Sequence, residues 1–126
     1  MSFKWINFLD LAELLASPAT TLITQAYYRT SISRAYYAVY WISREHAEKN
    51  GLGVPIMDSH KVVRDFYLNS SDTSYNEIGE DLKRLWKKRK DTDYDLKTIF
   101  GPMSASWNIT AAKLTIEKLK KIGATV

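Results

Sequence analysis

Apolar residues recur at spacings of three and four along most of this chain, and clusters of Gly, Pro and Ser divide them into five segments. From about Phe3 to Ala16, Trp5, Ile6, Leu9, Ala12 and Leu15 share one helical face, which Phe8, Leu11 and Leu14 widen. Ser17-Pro18 has the order of an N-cap followed by proline at the first helical position. The chain then runs to about Asn50 without Gly or Pro, until Gly51 and Gly53-Val54-Pro55 stop it. Unbroken, this helix would be about 50 Å long, with Thr20-Thr21 marking a late start or a bend. Ser59 is placed to cap a short helix from His60 to Leu68. A polar loop over 69–74 follows, then a fourth helix from about Tyr75 to Arg89 or beyond. Gly101-Pro102 breaks the chain again. Ser104 begins a last helix with Ala105, Ile109, Ala112, Ile116 and Leu119 on one face, and Gly123 ends it. No segment alternates with a period of two between hairpin signals. The pattern predicts an all-α fold: one domain over residues 1–126, an antiparallel up-and-down bundle of about five helices.

Two segments depart from simple amphipathicity. In the fourth helix Tyr75, Ile78, Leu82, Leu85 and Trp86 form an apolar stripe, and Arg89 continues it, four residues after Leu85 and three after Trp86. A cation on that face needs an anionic partner or a ligand, because a stranded buried charge is expensive. Asp93 is one turn further on. In the second helix Tyr28, Ile32, Ala35, Val39 and Ile42 make the core stripe, yet the other side carries Tyr37, Tyr40, Trp41 and Arg44, preceded by Ser33 and Arg29. Apolar bulk on both sides suits a central helix or one covered by a partner. Tyr, Trp and Arg are the types enriched at interface hot spots. A dimer or ligand surface through Tyr37, Tyr40, Trp41 and Arg44 and a central place in the bundle both stay open.

Composition narrows the function classes. With 126 residues, 45% apolar and 25% charged, the chain is expected to be one soluble globular domain. It has no cysteine, which excludes disulfides and thiolate metal sites. No apolar run reaches the roughly 18 residues of a membrane span, and Met1-Ser2-Phe3-Lys4-Trp5 lacks the core of a signal peptide. The expectation is a cytoplasmic protein with no membrane partner. The net charge is +4, but six of the eight residues from 83 to 90 are basic. Such a run is either a solvated face or an attractor of polyanions, in which case Lys83, Lys87, Lys88 and Lys90 are the nucleic-acid contacts. The two histidines, His46 and His60, form no metal-ligand spacing, and no Gly-rich phosphate loop or nucleophile motif is present. No metal or cofactor is expected, and His60, beside Asp58 and Ser59, is expected at the surface or in the capping region.

Ser33-Arg34-Ala35-Tyr36-Tyr37-Ala38 in a long second helix, followed by Leu85, Arg89 and Asp93-Tyr94-Asp95 in the fourth, resembles the HEPN superfamily. It is most similar to its small stand-alone prokaryotic proteins. The resemblance implies a helical bundle that is commonly a homodimer. It implies either a metal-independent endoribonuclease, with Arg and His in the dimer cleft, or one half of a toxin–antitoxin pair encoded with a nucleotidyltransferase. Arg89 matches the ribonuclease Arg, but Tyr94 or Asp95 stands where the His would be. Tyr, with an ordinary pKa near 10, is a poor base, which leaves Asp93 or Asp95 to act as base, with Arg89 stabilising a phosphorane-like transition state. The expected ligand site is Arg34, Arg89, Asp93 and Tyr94, with Arg34 pairing to Asp93 or Asp95. The catalytic candidates are Arg89, Asp93 and Tyr94. The function expected first is a nucleotide- or RNA-binding module, homodimeric and working with a nucleotidyltransferase-type partner in a toxin–antitoxin or defence setting. The alternatives are a ribonuclease toxin with an atypical site and a purely structural dimerisation module.

Overall fold

A computed structural model describes residues 4–16, 24–95 and 99–126, and among these it contains five helices and no strand. They are α1 (Asn7–Ala16), α2 (Thr24–Lys49), α3 (Ser59–Leu68), α4 (Thr73–Tyr94) and α5 (Pro102–Lys121). The all-α bundle expected from the periodicity is therefore observed. None of these helices is long and apolar enough to cross a membrane.

Helix ends show where local chemistry overrode the pattern. The helix expected from Phe3 begins only at Asn7, whose side-chain Oδ1 accepts from the Lys4 amide at 3.1 Å. The Ser17-Pro18 start and the Thr20-Thr21 bend lie outside the described residues. Ser59 does not cap α3 but is its first residue. Asp58 holds the cap position at φ 58°, a left-handed conformation that Asp tolerates better than most residues, and its side chain makes no capping bond. Helix α4 starts earlier than the apolar stripe, because the Asp72 carboxylate accepts from the Ser74 amide at 2.8 Å. Pro102 does not precede α5 but opens it, where its missing N–H leaves no intrahelical bond unmade. Gly123, at φ 96°, turns the chain out of α5 as expected.

Helix α2 packs against each of the other four. Its stripe of Tyr28, Ile32, Ala35, Val39 and Ile42 is buried, as are Ile78, Leu82 and Leu85 of α4 and Ala112, Ile116 and Leu119 of α5. Each large aliphatic side chain so removed from water contributes about 1.5–3 kcal/mol before the entropy of ordering it is set against it. Directional bonds fix the packing. Ser31 Oγ donates to the Ala12 carbonyl at 2.7 Å, tying α2 to α1, and the buried Tyr67 hydroxyl donates to the Ser43 carbonyl at 2.6 Å, tying α3 to α2. The Asn76 amide reaches the carbonyls of Tyr67, Leu68 and Ser70, so the end of α3 is bonded to the first turns of α4.

The second apolar face of α2 is filled from within the chain. Trp5 stacks on Trp41 at 4.5 Å between ring centroids, and Phe8 meets Tyr37 at 6.4 Å. Tyr40 is buried, and Arg44 lies over Trp41 while donating to the Tyr40 hydroxyl. Of the four residues expected at an interface, Tyr37, Trp41 and Arg44 keep part of their surface open.

Candidate functional site: an arginine groove between α2 and α4

The stripe of α4 that carries Leu85 inward also carries Arg89 inward, and its side chain is only 19% exposed. There it meets the polar edge of α2. Arg89 Nη2 donates to the Tyr37 hydroxyl at 2.7 Å, and the guanidinium carbon lies 5.2 Å from the Tyr37 ring centroid. Arg34 approaches the same ring at 6.0 Å and Phe8 at 5.5 Å. Tyr37 thus sits between two guanidinium groups and is attracted to both through its ring quadrupole. Asp93 Oδ2 lies 3.0 Å from Arg89 Nε, an ion pair one helical turn long. The oxygen lies off the N–H direction, however, so Arg89 Nε makes no hydrogen bond, and Arg34 Nε is likewise buried without an acceptor. Of the pairings expected for Arg34, with Asp93 or Asp95, the Asp93 carboxylate is held by Arg89, as the i,i+4 spacing on α4 allows.

A groove of about 320 Å³ opens over these groups, lined by Arg29, Thr30, Ser33, Arg34, Tyr37, Arg89 and Asp93. Arg29 is anchored at its rim, with Nη1 donating to the Thr92 carbonyl at 2.7 Å. Three guanidinium groups and three hydroxyl side chains therefore share the groove with one carboxylate. Of the four residues expected at the ligand site, Arg34, Arg89 and Asp93 line this groove. Tyr94 does not, and its side chain stands 73% exposed beyond the end of α4. The outer face of α4 holds Lys83, Lys87, Lys88 and Lys90 in solvent, with Lys90 over the Trp86 ring. Arg29, Ser33 and Tyr37 recur every four residues on the face of α2 that faces the groove. That spacing was the available signal for Arg29 and Ser33.

His60 corrects a second expectation. It is not a surface cap but half-buried against α2. Its Nδ1 lies 2.6 Å from the Tyr36 hydroxyl, and its ring is 4.2 Å from the Tyr40 centroid. Burial, then Tyr40, pushes the Tyr36 phenol far up, so it keeps its proton in this contact. Burial, followed by the Arg89, Arg64 and Arg44 cations, pulls the His60 pKa down to about 4. The ring is neutral at pH 7. No local pattern announces this contact, since α3 brings His60 to Tyr36 of α2 from 24 residues away.

This placement predicts a pH dependence of stability. The unfolded histidine takes up a proton below about pH 6.5, whereas folded His60 resists until about pH 4. The unfolded state therefore binds more protons in this window, and stability falls as pH falls from 6.5 to 4. Allowing for solvent screening of a half-open ring, the loss attributable to His60 is roughly 1–2 kcal/mol. His46, buried and also lowered by burial and Lys49, contributes with the same sign. Urea melts at several pH values should therefore show a shallower loss for His60→Gln than for the unaltered chain. Parallel curves would mean that His60 titrates normally.

The described residues contain no cluster of His, Asp or Glu able to hold a metal ion. No family model, no curated protein and no solved structure matches the chain. The chemistry of the groove is then that of its own side chains. It offers charge-assisted donors and one carboxylate, Asp93, which is paired with Arg89.

Proposed function

We propose that the chain is a HEPN-like nucleotide- or RNA-binding module whose α2–α4 groove receives a phosphate. One observation carries this reading: in a groove with three arginines and one aspartate, the Arg34 Nε–H is buried without an acceptor, while Arg89 Nε has only the off-line Asp93 carboxylate at 3.0 Å. An unmade buried hydrogen bond costs about 1–3 kcal/mol, more for a charged group. A phosphate would supply several strong acceptor oxygens and the missing negative charge. The ordered pair of segments around Arg34 and Arg89 that resembles HEPN proteins supports the same residues. In this reading the protein acts in the cytoplasm as a homodimer beside a nucleotidyltransferase-type partner, in a toxin–antitoxin or defence setting. The lysines on the outer face of α4 add long-range, sequence-independent attraction.

Calorimetric titration with AMP, ATP and pyrophosphate at low salt tests the reading. Saturable binding is expected, with Arg34→Gln weakening it roughly ten- to hundred-fold, while Lys87→Gln alters little beyond the salt dependence. If none of the three ligands saturates, or if Arg34→Gln binds as well as the unaltered chain, the groove is not a phosphate site.

His60 favours a second reading, a metal-independent ribonuclease. A neutral imidazole in contact with Tyr36, whose neighbour Tyr37 holds Arg89, supplies a histidine from α3 where α4 has none. Its low pKa makes it a weak base at neutral pH, which is why binding is proposed ahead of cutting. RNA left intact by high concentrations of protein in the presence of a chelator would dispose of this second reading.

A further inference from the structure

We propose that the groove between α4 and α5 is a base-stacking subsite for single-stranded nucleic acid, adjoining the arginine groove; the proposal rests on the latter being a phosphate site. The inward face of α5 is buried, but its outward face leaves Met103, Trp107 and Leu114 at 64%, 68% and 60% exposure. Trp107 and Leu114 line a groove of about 430 Å³ that also includes Leu85 and the buried Phe100. An exposed tryptophan at the mouth of an apolar groove is out of place on a surface meant only for water.

The charge around the groove selects its occupant. Arg84, Lys88 and Lys118 stand in its wall against a single carboxylate, Asp81. Asp81 is already engaged: it accepts from Thr115 at 3.1 Å and from Lys118 at 2.9 Å, and it pairs with Arg84. The wall thus keeps a net positive charge beside an aromatic face, the combination with which proteins hold the phosphates and bases of unpaired strands. A second copy docked on this face about a two-fold axis would bring the same cations together and repel. An acidic amphipathic helix would satisfy the charge, but the exposed Trp107 ring in the same groove as Lys88 and Lys118 offers a flat stacking face that suits a base. The Arg29 guanidinium, in the wall of the arginine groove, lies 4.8 Å from the Phe100 centroid, and Phe100 lines the second groove, so the two grooves adjoin across this contact.

Fluorescence anisotropy with labelled oligouridine and oligothymidine, alongside AMP calorimetry, tests this. Trp107→Ala, at an exposed position where folding is not at risk, is expected to weaken oligonucleotide binding about ten-fold, with AMP binding unchanged. Trp107→Phe should retain most of the affinity. Lys88→Ala should reduce the slope of log affinity against log salt by about 0.7. Arg89→Gln should weaken both oligonucleotide and AMP. Comparable binding of the two oligomers assigns the site to single strands of either sugar, whereas a preference for oligouridine assigns it to RNA. If Trp107→Ala binds oligonucleotide as well as the unaltered chain while Arg89→Gln does not, the subsite is wrong and the phosphate groove stands. If Arg89→Gln changes neither ligand, the phosphate groove itself is wrong. A stable dimer by light scattering that dissociates on Trp107→Ala would make this face a contact between copies and overturn the proposal.

Discussion

Gly79→Ala is expected to destabilise the protein by about 1–3 kcal/mol, although alanine in a helix is ordinarily better than glycine by about 1 kcal/mol. Gly79 is buried within α4, where the end of α3 crosses it. A Cβ there would lie 2.8 Å from Leu68 Cγ and Cδ2, and also 2.8 Å from the Leu68 backbone nitrogen. The side-chain atoms could rotate away; the backbone cannot. Asn76, one turn earlier on α4, is bonded to the carbonyls of Tyr67 and Leu68, so α3 cannot back off without breaking those bonds. Chemical denaturation should show a lower midpoint with an unchanged slope. An alanine variant as stable as the original would mean that α3 and α4 do not approach this closely.

Arg89→Met is expected to separate folding from binding more sharply than any other single change. The substitution removes a largely buried cation, with its 3.0 Å ion pair to Asp93 and its poorly directed Nε–H, and leaves a flexible apolar chain of similar length. The anion left behind, Asp93, is 35% exposed and remains solvated. The loss of the Tyr37 hydrogen bond costs about 1 kcal/mol, and relief of the unmade bond offsets it, so stability should change by less than about 1 kcal/mol in either direction. Phosphate-ligand affinity should fall roughly a hundred-fold, since a hydrogen-bonded charge contact to the ligand is lost. Thermal unfolding and calorimetry on the same preparation check both halves. A variant that unfolds far more easily yet binds normally would make Arg89 a structural residue.

Much of the fold was legible because it rests on periodicity. The apolar stripes read on α2 and α5 are buried throughout, though α2 also buries Tyr36, Tyr40 and His46 off its stripe, and spacing alone puts Arg89 on the inward face of α4. Helix ends were less legible because they depend on single capping bonds such as Asp72 to Ser74, and on Pro102 acting as an opener rather than a breaker. The close approach at Gly79 carried no local signal: a glycine in a helix declares its purpose only when the crossing helix is known. The candidate site divides in the same way. Arg34, Arg89 and Asp93 were visible through helical facing, while the partner choice between the arginines was not, since it turns on an ångström-scale competition. His60 was hidden because its environment is built from three helices distant in sequence.

Arg34 holds a buried Nε–H with no acceptor, and Arg89 holds one that faces only the off-line Asp93 carboxylate, so both are open to a better-placed anion. The direct measurement is the ¹H–¹⁵N spectrum of the arginine Nε–Hε groups, assigned by Arg→Lys variants and followed during titration with pyrophosphate and AMP. The Arg34 and Arg89 signals are predicted to move strongly downfield and saturate together, while Arg44, already bonded from Nε to Glu48, stays in place. Arg34 and Arg89 signals that remain fixed at saturating ligand, or that move only in step with every other arginine, would contradict the account.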